Sequence, residues 1–482
     1  MSAPQPASVL VIGGGPAGYT LVDQLGLRGY RGELTLVDPL GLPMDRPPLS
    51  KEFLRGAMSE EELRFREAEW FEERSITVIG SGVEEIAGVR LAEDAAGWEA
   101  FLLNGQRLVA EVVVLATGVA PAGAVPEGAL SERVITQLYT VHDAARLRRA
   151  LAPGTRLSII GGGLVGAEAA SVALGYGAEV TLVNPSDPAA VRSFGAVAAE
   201  RLHALHAERG VRVETGRVAR IEQPGGVGAA GAAGAEPSLL PVDAVGRADA
   251  GAGAGAGEAA GAGDGAVLGV GVVAGGEGQA VAPLRVVLED GRSWGADYAL
   301  YATGAVPRDD LARDAGAAVA ALEDGGGVLV DASGRASLPN LWAVGDVARG
   351  VDADGAPLPL HAHWEAAMHS AEDAAAALMG QFPEERGARW FWSDRHGEHV
   401  EVVGHPGEVA GGRTVLRSDA RGARGVFSVG AGGELLGAVT FDDARLARAA
   451  RRLIDRGAPV DAEALADPEV SARDLVRPPR RD

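Results

Sequence analysis

Reading hydrophobic against polar positions, the first strong feature is a short unbroken apolar run, "SVLVI" (Ser8–Ile12), stopped by three glycines. A run of this length bounded by glycine predicts a strand buried on both faces, as in a parallel sheet. A helix follows, then a second strand that ends at Asp38. The whole pattern returns at Arg156–Asn184, "RLSIIGGGLVGAEAASVALGYGAEVTLVN". Later segments repeat in the same order. "ITVIGSGVEEI" (Ile76–Ile86) matches "GVRVETGRVARI", and "FLLNGQRLVAEVVVLATG" matches "LRVVLEDGRSWGADYALYATG". Both of the latter predict hairpins, turning at Asn104-Gly105 and Asp290-Gly291. Two copies of one α/β nucleotide-binding architecture are therefore expected in series.

The glycines carry a physical reason in each copy. The first of G-x-G-x-x-G permits a tight strand-to-helix turn, the second lets backbone approach a diphosphate, and the third lets helix and strand pack closely. The phosphates then meet free N–H groups at the positive end of a helix. These positions are Gly13, Gly15 and Gly18 in the first copy and Gly161, Gly163 and Gly166 in the second. Such a pattern is weak alone in a chain with 70 glycines, but here strand, helix and second strand accompany it twice. At the end of the second strand, Asp38 is placed to accept ribose hydroxyls, as suits FAD or NAD. Its counterpart Asn184 has no charge, and Arg192 lies a little further on, so NADH and NADPH both stay open. Val83, in the segment after the third strand, is another expected cofactor contact.

Between later strands of the second copy lies a stretch from about Pro224 to Val281 that includes "GAGAGAGEAAGAGDG". It has no helical or alternating apolar period and few large side chains, which predicts a disordered loop.

Composition narrows the chemistry. At 482 residues and 47% apolar, the chain is long enough for several domains with a sizeable core. The N-terminus lacks a signal-peptide pattern, and no apolar run reaches the ~18 residues of a membrane span. A cytoplasmic protein is expected, without a membrane partner. A net charge of −22 disfavours nucleic acid as a partner. There is no cysteine, which removes disulfides, thiolate metal sites and a cysteine nucleophile. The histidine pairs His203/His206, His361/His363 and His396/His399 have no carboxylate cluster at zinc spacing, so no metal is expected. Lys51, in "DRPPLSKEFL", is the sole lysine among 44 basic residues.

Two dinucleotide folds in series suggest FAD in the first and NADH or NADPH in the second. "LPNLWAVGDVA", with Gly345-Asp346 after a strand, resembles the second FAD motif of the two-dinucleotide-binding-domain flavoproteins, whose Asp bonds the ribityl chain. "LATG" (Leu115–Gly118) resembles the segment that returns the chain toward FAD, so Thr117 and Gly118 are cofactor positions, and Gly304 is their repeat counterpart. "RPPLSKEFL", "WFWSDRHG" (Trp390–Gly397) and "FDDARLARAARRLID" together resemble the FAD-dependent ferredoxin reductases of oxygenase systems. That resemblance implies two Rossmann-like domains and a C-terminal α+β domain. Residues 1–120 and 305–385 would form the FAD-binding domain, 121–304 the NAD(P)-binding domain, and 386–482 the C-terminal domain, a sheet with helices on one side.

The resemblance also implies roles. Lys51 would stabilise negative charge on the reduced flavin, with Arg46 facing the ring and Glu168 orienting Lys51. Trp364, with an aromatic from Trp390, Phe391 and Trp392, would wall the nicotinamide side. Related disulfide reductases place cysteines where this chain has "RPPLSKEF", so its electrons must leave to an external acceptor, a [2Fe–2S] ferredoxin by resemblance. Alternatives are an FAD oxidoreductase acting on oxygen, a quinone or a small substrate, or a slow redox-responsive binding protein. Arg445, Arg448, Arg452 and Arg456 follow helical spacing and form a basic strip that could steer an acidic ferredoxin. Some family positions differ: Leu360, Ala362 and Ala366 stand where the family has Arg, Glu and Asn, and Ala120 and Ala122 where it has arginines.

Overall fold

The computed structural model describes residues 5–80, 86–91, 97–122, 134–135, 138–223, 283–360, 362–407 and 409–477. The Gly/Ala stretch and Val83 lie outside the described residues.

Two five-stranded parallel sheets repeat one another. In the first the order is Leu341–Ala343, Val112–Leu115, Ser8–Ile12, Glu33–Asp38 and Ile76–Gly80. In the second it is Val134–Ile135, Tyr298–Tyr301, Arg156–Ile160, Glu179–Asn184 and Arg212–Thr215. The apolar runs read from sequence are the central strands, covered on both faces as expected. Val9 and Val11 pack under the helices Pro16–Leu27 and Trp364–Leu378, whose alanines Ala371, Ala374 and Ala375 allow close approach. Leu10 and Ile12 face the opposite way, onto Trp98, Val328 and Val330. Each such fully buried aliphatic side chain contributes roughly 1.5–3 kcal/mol.

Each copy also carries a three-stranded antiparallel sheet, Ile86–Leu91 with Trp98–Leu102 and Arg107–Ala110, and Val218–Glu222 with Leu284–Leu288 and Ser293–Ala296. Gly105 and Gly291 take left-handed φ values of 86° and 87° at the predicted turns.

Between the domains, two linker strands, Val119–Pro121 and Ala305–Pro307, pair antiparallel. The C-terminal sheet is antiparallel, ordered Trp390–Arg395, Glu398–Gly404, Leu435–Phe441, Gly422–Val429, Arg413–Asp419. One face packs on its own helices through Phe427, Leu435, Leu446, Ala450 and Leu453. The domain's own helices lie on that one side, as expected. The other face, through Phe391, Val400, Val402 and Phe441, is covered by Phe194, Ala198 and Leu202 of the second nucleotide domain. An antiparallel sheet with apolar residues on both faces must bury both, and the neighbouring domain supplies the second cover.

Candidate functional site

The glycine turns are superimposable in their demands. Gly13 has φ 111° and Gly161 φ 109°, and a Cβ on either would lie 2.2 Å from a carbonyl oxygen, of Ala116 or Ala302. A Cβ on Gly18 or Gly166 would lie 1.9 Å from the oxygen of Gly13 or Gly161. The protein's own packing therefore requires glycine at the first and third positions. Its packing does not require the second. Gly15 and Gly163 start their helices at φ −71°, which any residue adopts. A Cβ on Gly163 would meet no atom within 4 Å, and one on Gly15 only Arg46 Nε at 3.7 Å. Glycine there keeps open a cradle that a methyl group would fill, which fits a dinucleotide diphosphate in each copy.

Behind each turn one side chain straps strand to loop. Gly14 N donates to Asp38 Oδ2 (2.6 Å) and Leu40 N to Asp38 Oδ1 (2.8 Å). Gly162 N donates to Asn184 Oδ1 (3.3 Å), whose Nδ2 donates to Ser186. Both strap residues are buried; a carboxylate oxygen with one backbone donor keeps a lone pair for a ribose hydroxyl.

Polar groups without protein partners gather around the first turn. Asp346 Oδ1 is buried with no hydrogen-bond partner among the described residues. Burial pushes its carboxyl up to about 6, against the opposing charge of Arg46. Gly345 beside it has φ 73° and donates its N–H to Ser370 Oγ (2.8 Å). A bound ribityl hydroxyl would satisfy Asp346, so these residues fit FAD. Arg46 lies with its guanidinium 4.1 Å from the Tyr139 ring centroid and donates to Tyr139 O (3.2 Å). Thr117 Oγ1 donates to Arg308 O (2.8 Å), Gly118 has φ 68°, and Gly304 has φ 107°. Sequence reasoning missed Tyr139 and Arg308. The internal repeat could have exposed the latter, since "GVAPA" (Gly118–Ala122) aligns with "GAVPR" (Gly304–Arg308).

Lys51 sits where three domains meet. It falls between the 3-10 turn Pro47–Ser50 and the short helix Glu52–Arg55, 5% exposed. Its Nζ is 3.5 Å from Glu168 Oε1, in the second nucleotide domain, and 3.6 Å from Asp394 Oδ2, in the C-terminal domain. It also lies 4.7 Å from the centroid of the Trp392 ring. Glu168, 4% exposed, accepts from Ser50 Oγ (2.6 Å) and Ser393 Oγ (2.7 Å). Paired, hydrogen-bonded carboxylates offset the desolvation of a buried ammonium.

Asp394 was not foreseen as a partner. Burial pushes against its ionisation, but the His399 hydrogen bond (2.6 Å) and the Lys51 charge prevail and hold its carboxyl below the ordinary range. The same bond raises His399. Ser393 also accepts from Arg395 (2.8 Å), whose complete burial lowers its guanidinium to about 10.

Trp364 stands beside this node, its ring centroid 5.9 Å from that of Trp392 and edge-on, with Nε1 donating to Asp45 Oδ1 (2.9 Å). Trp390 stacks on Trp392 at 5.0 Å. Phe391 points elsewhere, into the buried cluster with Phe194 and His363. His361 lies outside the described residues, and of the other candidate pairs His206 and His203 find partners beyond their sequence neighbours. His206 bonds His396 across domains (2.8 Å), and burial lowers them to about 3 and 4, so both stay neutral. His203 lies 3.3 Å from Asp187. Among the described residues no three His, Asp or Glu side chains form a metal-holding group, and no helix is long and apolar enough to cross a membrane. Of the arginine strip, Arg445, Arg448 and Arg452 are exposed, while Arg456 donates to Val476 O.

Residues 7–253 and 266–374 match the family described as pyridine nucleotide-disulphide oxidoreductase, and residues 390–476 match the reductase C-terminal domain. The chain is 30% identical over 479 residues to the benzene 1,2-dioxygenase system ferredoxin–NAD(+) reductase subunit of Pseudomonas putida, covering 97% of each chain. It is likewise 30% identical to the chlorobenzene dioxygenase ferredoxin reductase component of Cupriavidus sp. (strain PS12), over 98% of each chain. Among solved structures it is similar to the reductase of the covalent putidaredoxin reductase–putidaredoxin complex, with a TM-score of 0.77, 25% identity and 98% of both chains covered.

Proposed function

The chain belongs to the pyridine nucleotide-disulphide oxidoreductase family, and from that premise we propose a cytoplasmic FAD-dependent NAD(P)H oxidoreductase that passes electrons to a ferredoxin serving an oxygenase. A [2Fe–2S] ferredoxin is the partner this reading favours. The observation that carries it is the buried Lys51, clamped between Glu168 and Asp394 in a chain without cysteine. With no thiol to relay electrons to a disulfide, the electrons must pass to another molecule. Relatives named as ferredoxin–NAD(+) reductase components of dioxygenase systems support that direction.

Bound FAD supplies the redox chemistry, taking two electrons from a nicotinamide and giving them up singly. The residues supply placement. The helix beginning at Pro16 and the open face of Gly15 would hold the diphosphate, and Asp346 would accept from the ribityl chain. Lys51 keeps a fixed cation at the domain junction, where it would favour negative charge on a bound flavin. Glu168 and Asp394 fix its direction from two sides. Trp364, Trp392 and Trp390 exclude water from the same region. Exposed Arg445, Arg448 and Arg452 give an otherwise acidic protein a local surface suited to an acidic ferredoxin.

The test is stopped-flow flavin reduction by NADH and NADPH, followed by cytochrome c reduction with and without a [2Fe–2S] ferredoxin. Fast reduction and a ferredoxin-dependent cytochrome rate are expected. Lys51→Met should slow the reduction step by about 100-fold with FAD still bound. Fast reduction without any ferredoxin-dependent rate would sink the reading in favour of an oxidase or quinone reductase. A long-lived charge-transfer complex with reduction-dependent dimerisation would instead favour a redox-responsive binding protein.

A further inference from the structure

We propose that Arg308, delivered by the second linker, is a diphosphate-binding residue of the first dinucleotide site, acting with Arg46 around Tyr139. The inference rests on the FAD reading of that site.

A guanidinium remains charged at any physiological pH, so its charge has to be met by an anion, a ring face or water. In a chain of net charge −22, many arginines sit against carboxylates, as Arg156 does on Asp297 and Arg451 on Glu365. Arg46 and Arg308 make no ion pair among the described residues. Both instead converge on one tyrosine, at 4.1 Å and 5.2 Å from its ring centroid. Arg308 Nε is buried with no acceptor among the described residues. Two cations sharing one aromatic ring, neither ion-paired within 4 Å to a carboxylate of the described residues, are a preformed site for a multiply charged anion. The open cradle above Gly15, with Arg46 Nε at its edge, is where a diphosphate would lie.

The route by which Arg308 arrives explains why only the first site receives it. The two linkers run antiparallel, so the end of each lies against the start of the other. Arg308 N donates to Gly118 O (2.9 Å), and Ala122 N donates to Gly304 O (2.8 Å). The repeat makes Arg308 and Ala122 counterparts. The second copy's linker therefore brings a cation to the first site, while the first copy's linker brings an alanine to the second. Thr117 Oγ1, bonded to Arg308 O, fixes the crossing. This asymmetry suits a first site that keeps its dinucleotide through turnover and a second that releases one each cycle.

The experiment measures Kd for FAD, ADP and riboflavin with the full chain freed of flavin, in wild type, Arg308→Ala and Arg308→Lys. Removing one charge-assisted contact should weaken FAD and ADP about 10- to 100-fold in Arg308→Ala and leave riboflavin unchanged. Arg308→Lys should recover part of the loss, and the Tm of the flavin-free protein should not move. Equal losses for riboflavin and ADP, or unchanged FAD and ADP binding with a raised KM for NAD(P)H, would overturn the proposal. A wild-type chain that takes up no FAD would overturn the reading beneath it as well, which separates the two failures.

Discussion

The two glycine turns share a backbone but not their surroundings. Gly13 and Gly161 differ by 2° in φ, and their neighbours block a Cβ at the same distance. Around the first turn stand Arg46, Tyr139, Arg308 and Asp346, whose Oδ1 has no partner among the described residues. The second has the neutral strap Asn184 and, over Gly163, nothing within 4 Å. The comparison separates what a fold demands from what a ligand demands. Steric requirements repeat because the same strand, turn and helix repeat. Charges do not, because they answer to what each site binds.

The largest test of that separation compares glycines within a turn. Gly13→Ala forces a Cβ against the Ala116 carbonyl at a left-handed φ and should cost about 3 kcal/mol or more, read as a collapsed Tm in thermal unfolding. Gly15→Ala meets no such contact. Its Tm without flavin should stay near wild type while FAD affinity falls about tenfold or more. Gly163→Ala should spare FAD and raise the KM for NAD(P)H. If Gly15→Ala unfolds the protein, the division between fold and ligand fails.

An intermediate effect is expected at Asp346, and it has a definite sign. Its carboxyl titrates near 6 in the folded protein against an ordinary 3.8, so the native state binds the extra proton between those values. Stability of the flavin-free protein should therefore fall as pH rises from about 4 to 6. Asp346→Asn removes that slope. It should be the more stable protein at pH 7, by up to about 3 kcal/mol, and not at pH 4, in urea titrations. FAD retention should weaken in the same variant. Equal stability of the two proteins at pH 7 would mean that the buried carboxylate has a partner.

The smallest change sharpens the strap residues. Asn184→Asp restores the first copy's chemistry to the second and loses the donors to Ser186. The kcat/KM ratio of NADH to NADPH should rise about five- to tenfold, since a carboxylate accepts ribose hydroxyls and repels a 2′-phosphate. An unchanged ratio would assign the 2′ position to another residue, with Arg192 the next to substitute.

Much of this was legible in the chain because it is local or repeated. Apolar runs ending in glycine gave both parallel sheets, since a strand buried on two faces needs no polar alternation. The G-x-G-x-x-G spacing gave the turns, and the absence of cysteine set the chemistry that remained. The Lys51–Glu168 contact was available only through resemblance, as no periodicity links residues so far apart. Ser50 and Glu168, which share that junction, are separated by 118 positions.

By itself, then, the sequence determined the duplicated α/β architecture, the steric glycines and the singular lysine, because backbone sterics and burial act over a few residues. Only the tertiary structure decided that Asp394 and Ser393 close the junction, and that His206 meets His396 rather than His203. It alone also revealed that crossing linkers bring Arg308 to the Tyr139 ring that Arg46 shares. Each depends on which domain faces are pressed together, and that is set by the summed packing of the whole chain.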